Sequence, residues 1–156
     1  KFSYSRRRNI VELADVGDWI AGTGGVGSQS AGHGKLIYAM RVSEKLSLRD
    51  YFADRRFRGR ADNLQSYARR TKRFVLVSSD FFYFGTRAPD LSKIPSCHLD
   101  HPFEKRGPGF RSDFSEPFIA DLIAWLGSTF RRGVHAYPCG GRPTHAPQAI
   151  CRMNQG

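Results

Sequence analysis

Short apolar runs alternate with glycine-rich and proline-rich stretches along this chain, and two of the runs flank a loop that is rich in glycine. The first run, VGDWIAG at residues 16–22, contains strand-forming residues and is bounded by glycines. The second run, KLIYAMRV at residues 35–42, has the same character. The pattern predicts two antiparallel strands joined by a long, mobile connection over residues 22–34.

The middle of the chain predicts one short helix, followed after a basic stretch by strand. Ser47 is placed to cap a helix over residues 47–57, where apolar residues recur at helical spacing. The run FVLVSSDFFYFG at residues 74–85 predicts either one bent strand or two short strands broken near Ser79 and Asp80. Residues 86–114 hold four of the eight prolines and little periodicity, so they predict a loop.

The clearest helical pattern covers residues 115–133. Ser115 is placed to cap it, and Pro117 falls in the first turn, where a missing N–H costs little. We expect Arg131 and Arg132 in the last turn and Gly133 just beyond it. The apolar residues that repeat at helical spacing are Phe118, Ile119, Leu122, Ile123, Leu126 and Phe130.

Together these elements predict an α+β domain, in which a few helices pack against a small curved sheet or an open barrel. One domain is expected over residues 1–136, followed by a loop-rich tail over residues 137–156. No apolar run approaches the ~18 residues that a membrane-spanning helix requires. We therefore expect a cytoplasmic protein without a membrane partner.

Charge changes this picture, because 25 Lys and Arg face 14 Asp and Glu, for a formal net charge of +11. Residues 55–73 contain eight basic residues and one acid, with Phe57 and Tyr67 interleaved, which suits a groove that follows a nucleic-acid backbone. The alternative is a solvated surface, since high net charge also discourages aggregation. The residues predicted to contact the backbone are Arg55, Arg56, Arg58, Arg60, Arg69, Arg70, Lys72 and Arg73.

The glycine-rich loop imitates two phosphate-binding motifs and satisfies neither. Gly22, Gly24 and Gly27 fit the spacing of a dinucleotide fingerprint, but no helical pattern follows them. A phosphate loop ending at Lys35 would need glycine at position 29, which is Gln29, and Ser or Thr in place of Leu36. We therefore predict no cofactor and treat the loop as a strand connection.

The ordered motifs VGDWIAGTG, LIYAMRVSEKLSLRDYFADRRFRG, ADN, VLVSSDFFYFG and EPFIADLIAWL resemble the second of the nucleotide-modification-associated domain families. The resemblance covers about residue 10 to residue 135. It implies a bacterial or phage domain found near genes for DNA base modification. The order of motifs is also similar to the broader PUA-like group, including EVE and ASCH domains, which implies a small curved barrel and, in several members, binding of modified bases or RNA.

An aromatic pocket is the first candidate for a base-binding site. Alternation along a strand places Phe82 and Phe84 on one face, with Phe81 and Tyr83 on the other, and one face must be core. The other face can stack a base. The predicted base-binding residues are Trp19, Asp18, Tyr38, Phe82 and Phe84. The alternatives are that these aromatics only pack the core and that Asp18 is a turn acceptor.

Catalytic and metal-binding residues are harder to identify. The chain offers several acids and bases, yet no triad, zinc-deaminase motif or metal cluster selects among them, so whether it is an enzyme stays open. Cys97, His98 and His101 lack the spacing partners of a tetrahedral site, so we predict no metal. The candidate acids and bases are Asp54, Asp62, Asp80, Asp100, His98 and His101.

These observations favour a nucleic-acid-binding domain that recognises a modified base or serves a base-modification system. The expected partner is nucleic acid, with DNA first, and base-modification enzymes are further candidates. The alternatives are an enzyme that acts on a base or nucleotide in that system and a protein-interaction module.

Overall fold

A computed structural model describes residues 10–59, 74–96 and 109–139 of the chain. These ranges contain three α-helices, six strands and three short 3₁₀ turns. In chain order the helices and strands are α1 (Ile10–Leu13), β1 (Trp19–Thr23), β2 (Leu36–Arg41), β3 (Glu44–Ser47), α2 (Leu48–Ala53), β4 (Phe74–Val77), β5 (Asp80–Tyr83), α3 (Glu116–Thr129) and β6 (Gly133–Val134). The 3₁₀ turns cover Arg55–Phe57, Gly85–Arg87 and Leu91–Lys93.

Four strands form a sheet in the order β1-β2-β5-β6. The first three are antiparallel, and β6, which was not predicted, runs parallel to β5. Ala39 of β2 lies between Ala21 of β1 and Phe82 of β5 in the register. The predicted antiparallel pair of strands around the glycine-rich loop is therefore confirmed.

A second sheet of two strands pairs β3 with β4 and continues the ribbon formed by β2 and β5. The change of direction lies at residues 42–43 and 78–79. The Ser78 hydroxyl lies 2.6 Å from the Arg41 carbonyl oxygen and accepts a hydrogen bond from the Asp80 N–H. Ser43 Oγ accepts from the Ser79 N–H at 3.1 Å. The prediction of two short strands over residues 74–85 is confirmed. The two strands, β4 and β5, belong to different sheets.

The hydrophobic core lies between the four-stranded sheet and α3. Ser115 caps α3 as predicted and accepts from the Phe118 N–H. The helix nevertheless ends at Thr129 rather than near residue 133, so the predicted positions of the C-terminal arginines and of Gly133 are wrong. Phe130 adopts an extended backbone and packs its ring against Phe84, with 4.7 Å between centroids. The buried residues of this core are Leu36, Ala39, Phe82, Phe84, Leu91, Ile94, Phe118, Leu122 and Leu126.

A smaller apolar cluster forms around α2. Ser47 caps this helix as predicted, since its Oγ accepts from the Asp50 N–H at 3.1 Å. The helix ends at Ala53, earlier than predicted, because Asp54 starts the following 3₁₀ turn by accepting from the Arg56 N–H. Tyr51 is buried and stacks on Phe57 with 4.5 Å between ring centroids.

Candidate functional site

The two faces of the four-stranded sheet are filled differently. The side that carries Ala39, Phe82 and Phe84, the core face, is covered by α3, and these residues are at most 1 % exposed. The opposite side, the aromatic face, carries Tyr38, Met40, Phe81 and Tyr83, all of them half-buried. An open depression of about 300 Å³ is lined by these four residues and by Ala39, Ser78, Phe82 and Val134. No helical residue of the described ranges lines it.

Tyr38 holds a fixed place on the aromatic face because its ring lies against the backbone of the neighbouring strand. It is paired with Gly22 on β1 and with Tyr83 on β5. A Cβ atom at position 22 would lie 2.1 Å from Tyr38 Cε1, so the ring occupies the space that glycine leaves open. Glycine at this position therefore permits the observed position of the Tyr38 ring.

The two tyrosine hydroxyls of the aromatic face stay protonated well above neutral pH. Burial raises the pKa of Tyr38 above its ordinary value. The pKa of Tyr83 is raised by burial and also by its proximity to Cys139. Both hydroxyls can therefore donate or accept a hydrogen bond at neutral pH without adding charge.

The structure separates the five residues that the sequence assigns to base binding. Phe82 and Phe84 are 1 % exposed, so their side chains pack the core, although Phe82 also borders the depression. Trp19 is half-buried and stacks on Phe82 with 6.5 Å between centroids, which places it against the core. Asp18 accepts from the Asp15 N–H at 2.9 Å, as a turn residue does. Of these five residues only Tyr38 and Phe82 line the depression, and only Tyr38 lies on the aromatic face.

Phe81, Tyr83 and Met40 also line the depression, although these three are not among the residues assigned to base binding from the sequence. The alternation of the sequence already places Phe81 and Tyr83 on the face opposite Phe82. What selects the core face is the docking of α3, whose Phe118 and Leu126 belong to the same buried cluster as Phe82. No local pattern in residues 74–85 indicates where that helix docks.

The residues predicted to contact a nucleic-acid backbone differ in whether their charge is already paired. Arg56 Nη1 and Nη2 donate to the two carboxylate oxygens of Glu44 at 2.6 and 2.8 Å. Nε and Nη2 of the same side chain donate to Asp54 Oδ2 at 2.9 and 2.7 Å. These hydrogen bonds lower the pKa of Glu44 and the pKa of Asp54. The charge of Arg56 is thus engaged by two carboxylates.

Arg55 and Arg58 are exposed and have no ion pair within the part of the chain that the structure describes. The other five predicted backbone contacts lie outside the described residues. They are Arg60, Arg69, Arg70, Lys72 and Arg73.

Positive charge is distributed unevenly between the described residues and the rest of the chain. The described ranges contain twelve Lys and Arg against eleven Asp and Glu, so they are almost neutral. The remaining residues contain thirteen Lys and Arg against three acids. The excess of charge that indicates nucleic acid therefore belongs mainly to residues 1–9, 60–73 and 140–156.

Three arginines of the described ranges lie close in sequence to residues of the aromatic face. Arg41 follows Met40 and is exposed, with its Nε donating to the Gly17 carbonyl at 3.3 Å. Arg132 is exposed and donates to Asp80 Oδ1, and its guanidinium carbon lies 5.8 Å from the Phe82 ring centroid. Arg131 is exposed and forms no ion pair with another described residue.

The glycine-rich loop is a strand connection. No helix follows Gly27 before β2 begins, which confirms that neither phosphate-binding motif applies. The loop is tied down by the hydrogen bond from the Gly24 N–H to the Lys35 carbonyl and by the ion pair of Lys35 Nζ with Asp90 Oδ2, both 2.9 Å. Residues 24–34 do not line the depression.

The described ranges contain few candidate residues for catalysis or for metal binding. Asp54 and Asp80 are paired with arginines, and no three His, Cys, Asp or Glu side chains of the described ranges converge as metal ligands. The remaining candidates lie outside the described residues, namely Asp62, Cys97, His98, Asp100 and His101. Among the described helices, none has both the length and the apolar character needed to cross a bilayer.

Comparison with known proteins identifies one family. The family model described as nucleotide modification associated domain 2 matches residues 7–73 and 62–144. These two overlapping matches cover most of the 156 residues. No curated protein and no solved structure matches the chain. The further analogy to PUA-like folds therefore stays a prediction from the sequence.

Proposed function

Because the chain belongs to the nucleotide modification associated domain 2 family, and so to proteins linked with nucleotide-modification systems, we propose that it binds nucleic acid there and holds a modified base against the aromatic face. The observation that carries this proposal is the set of aromatic rings on the open side of the sheet. Tyr38 and Tyr83 are cross-strand partners, and Phe81 lies on the same side of β5.

The composition of the aromatic face favours a base over a small polar ligand. Three rings and Met40 surround the depression, while the Ser78 hydroxyl is already engaged with backbone groups of Arg41 and Asp80. Every base has a π face, and stacking on an aromatic side chain contributes about 1–3 kcal/mol per base. The hydroxyls of Tyr38 and Tyr83 supply uncharged partners for groups at the edge of a base.

The openness of the depression supports recognition of a base that carries an added group. A closed pocket shaped to an ordinary base rejects a bulky substituent, whereas a shallow surface leaves room for it. Discrimination then arises because the substituent covers additional apolar area beside Met40 or Val134. We therefore expect the domain to bind a modified base more tightly than the same base without the modification.

Contacts to phosphate groups are assigned to the basic segment, residues 55–73, with Arg56 excluded. Arg55 and Arg58 are exposed, while Arg56 is held by Glu44 and Asp54. Neutralising phosphates releases counterions and contributes affinity without sequence preference. The basic segment thus serves affinity, and the aromatic face serves recognition.

The test compares oligonucleotides with and without a modified base by fluorescence anisotropy. A strand that carries a 5-substituted pyrimidine and the unmodified strand of the same sequence are titrated with the wild type and with Tyr38→Ala. We expect the wild type to prefer the modified strand and Tyr38→Ala to lose most of that preference.

Phe110→Ala is the matched control, because Phe110 is an exposed aromatic residue that does not line the depression. This variant is expected to keep the preference. Equal binding of both strands by the wild type contradicts recognition of the modification. Binding of neither strand contradicts the nucleic-acid function and favours a protein-interaction module.

A further inference from the structure

On the basis of the proposed function, we infer that the aromatic face takes a single-stranded, extended segment of nucleic acid, with successive bases on Phe81 and Tyr83. The inference concerns the form of the nucleic acid, which the family description does not specify. It depends on the spacing of the rings, on the shape of the depression and on the net charge of the chain.

The spacing of the rings matches an extended strand. Phe81 and Tyr83 are two residues apart on β5, so their Cβ atoms project from the same face about 6.8 Å apart. Neighbouring bases in one strand of a duplex are only about 3.4 Å apart. Two adjacent bases therefore reach the two rings when the strand is pulled out of its helical stack.

The second tyrosine widens the platform across the sheet. Tyr38 is the direct cross-strand partner of Tyr83, which places their Cβ atoms about 5 Å apart. The base over Tyr83 thus meets aromatic surface from two strands, and the base over Phe81 meets Met40, the partner of Phe81 on β2. These residues belong to β2 and β5, the two central strands of the sheet.

The shape of the depression disfavours an intact duplex and a flipped base. A duplex presents base edges in its grooves, and its π faces are covered by stacking. A flipped base loses its stacking partners and is held in an enclosing pocket. The depression of about 300 Å³ is open and formed by a sheet surface, which suits the exposed π faces of a single strand.

The charge of the chain complements a phosphate backbone. The formal net charge is +11, from 25 Lys and Arg against 14 Asp and Glu. Arg41 follows Met40 in β2, but strand alternation places its side chain on the side of Ala39, the core face, so it is not assigned to the aromatic face.

The experiment uses the full chain and three labelled probes of equal length. These are an oligothymidine strand, the same strand annealed to oligoadenine, and an abasic oligomer that keeps the phosphates and lacks the bases. We expect the oligothymidine strand to bind about tenfold more tightly than either other probe. Phe81→Ala should remove about tenfold of the affinity for oligothymidine and change the affinity for the abasic oligomer by less than about twofold.

Phe81→Leu separates stacking from general apolar contact. Leucine keeps an apolar side chain at this half-buried position and lacks a π face, so a base loses its stacking partner. We expect this variant to bind oligothymidine as weakly as Phe81→Ala. Phe110→Ala is again the control and should bind like the wild type, and the melting temperature of each variant verifies that it is folded.

The outcomes distinguish this inference from the proposed function. Duplex binding as tight as single-strand binding, with Phe81 variants that bind normally, overturns the single-strand inference and leaves nucleic-acid binding intact. If the chain binds none of the three probes, both the single-strand inference and the proposed nucleic-acid function are overturned. A Phe81→Leu variant that retains full affinity also overturns the inference, since the face then serves apolar contact. If the wild type elutes as a dimer in size-exclusion chromatography and Phe81→Leu elutes as a monomer, the inference is overturned as well, since the face then serves self-association.

Discussion

Phe81 and Phe82 are neighbours on β5, yet they belong to two surfaces with different physical roles. The ring of Phe82 is 1 % exposed and lies among Ala39, Phe84 and the residues of α3. The ring of Phe81 borders an open depression with Tyr38 and Tyr83. The comparison teaches that aromatic content does not identify a binding site. The covering of one face by a helix leaves the opposite face available to a ligand.

Two arginines outside the four-stranded sheet show a similar difference in their surroundings. Arg56 and Arg58 are two residues apart and equally basic. Arg56 donates four hydrogen bonds to Glu44 and Asp54 and so stabilises the junction of β3 with the 3₁₀ turn. Arg58 is exposed and has no ion pair among the described residues. Counting charges along the sequence treats the two as equal, whereas only Arg56 is paired with carboxylates among the described residues.

The largest expected effect separates the core face from the aromatic face by stability. Phe82→Ala should lower the free energy of unfolding by about 3–5 kcal/mol, because it leaves a cavity under α3. Phe81→Ala should lower it by about 1 kcal/mol, since the ring is only half-buried. Urea unfolding followed by circular dichroism measures both.

If Phe82→Ala does not fold, Phe82→Leu serves in its place and should still cost more than Phe81→Leu. Equal costs for the two positions would remove the distinction between the faces.

A smaller effect is expected at Gly22, where the change acts on the aromatic face through Tyr38. In Gly22→Ala the new Cβ overlaps the Tyr38 ring, which must move. We expect a loss of about 1–2 kcal/mol in stability together with weaker binding of oligothymidine. Chemical unfolding and anisotropy measure the two effects.

Gly27→Ala is the matched control, since a Cβ atom at position 27 would meet no other atom within 4 Å and this glycine lies in the exposed loop. It should change stability by less than about 0.5 kcal/mol. Similar behaviour of the two alanine variants would show that Tyr38 does not depend on the space at Gly22.

The arginine comparison is tested by the salt dependence of binding. Replacing Arg58 by Gln should reduce the slope of log affinity against log salt by about one, because one phosphate contact is lost. Arg56→Gln should leave that slope unchanged, since Glu44 and Asp54 already engage its charge. Anisotropy titrations at several KCl concentrations measure the slopes, and a lower slope for Arg56→Gln would contradict the assignment.

The smallest expected effect is the pH dependence of the Arg56 interactions. The pKa values of Glu44 and Asp54 are lowered chiefly by hydrogen bonds from Arg56. A carboxyl group with a lowered pKa contributes stability above its unfolded pKa, and this contribution is lost as the pH falls through the folded value. Wild-type stability should therefore fall on acidification below about pH 4 more steeply than that of Arg56→Gln.

Urea midpoints measured across this acidic range for both proteins provide the comparison. Because Arg56 is exposed and the two carboxylates are only partly buried, the difference should shrink in high salt. Parallel midpoint curves for the two proteins would show that the ion pairs do not contribute to stability.

Local signals in the sequence predicted much of the fold. Ser47 and Ser115 cap their helices as expected, since a cap requires only a hydroxyl at the first turn. The predicted end of α3 was wrong. The helix ends at Thr129, because Phe130 leaves the helical conformation and packs its ring against Phe84. Strands β3 and β6 were missed, since their sequences EKLS and GV carry no apolar run and are specified by their partner strands.

The family, the α+β class and the two faces of the sheet follow from the sequence alone, the faces because side chains alternate along an extended backbone. Only the tertiary structure decided that Phe82 and Phe84 are core while Tyr38, Phe81 and Tyr83 border a depression. The physical reason is that α3 is distant in sequence from β5 and buries whichever face it docks against. In the same way, Arg56 meets Glu44 only when β3 and the 3₁₀ turn come together.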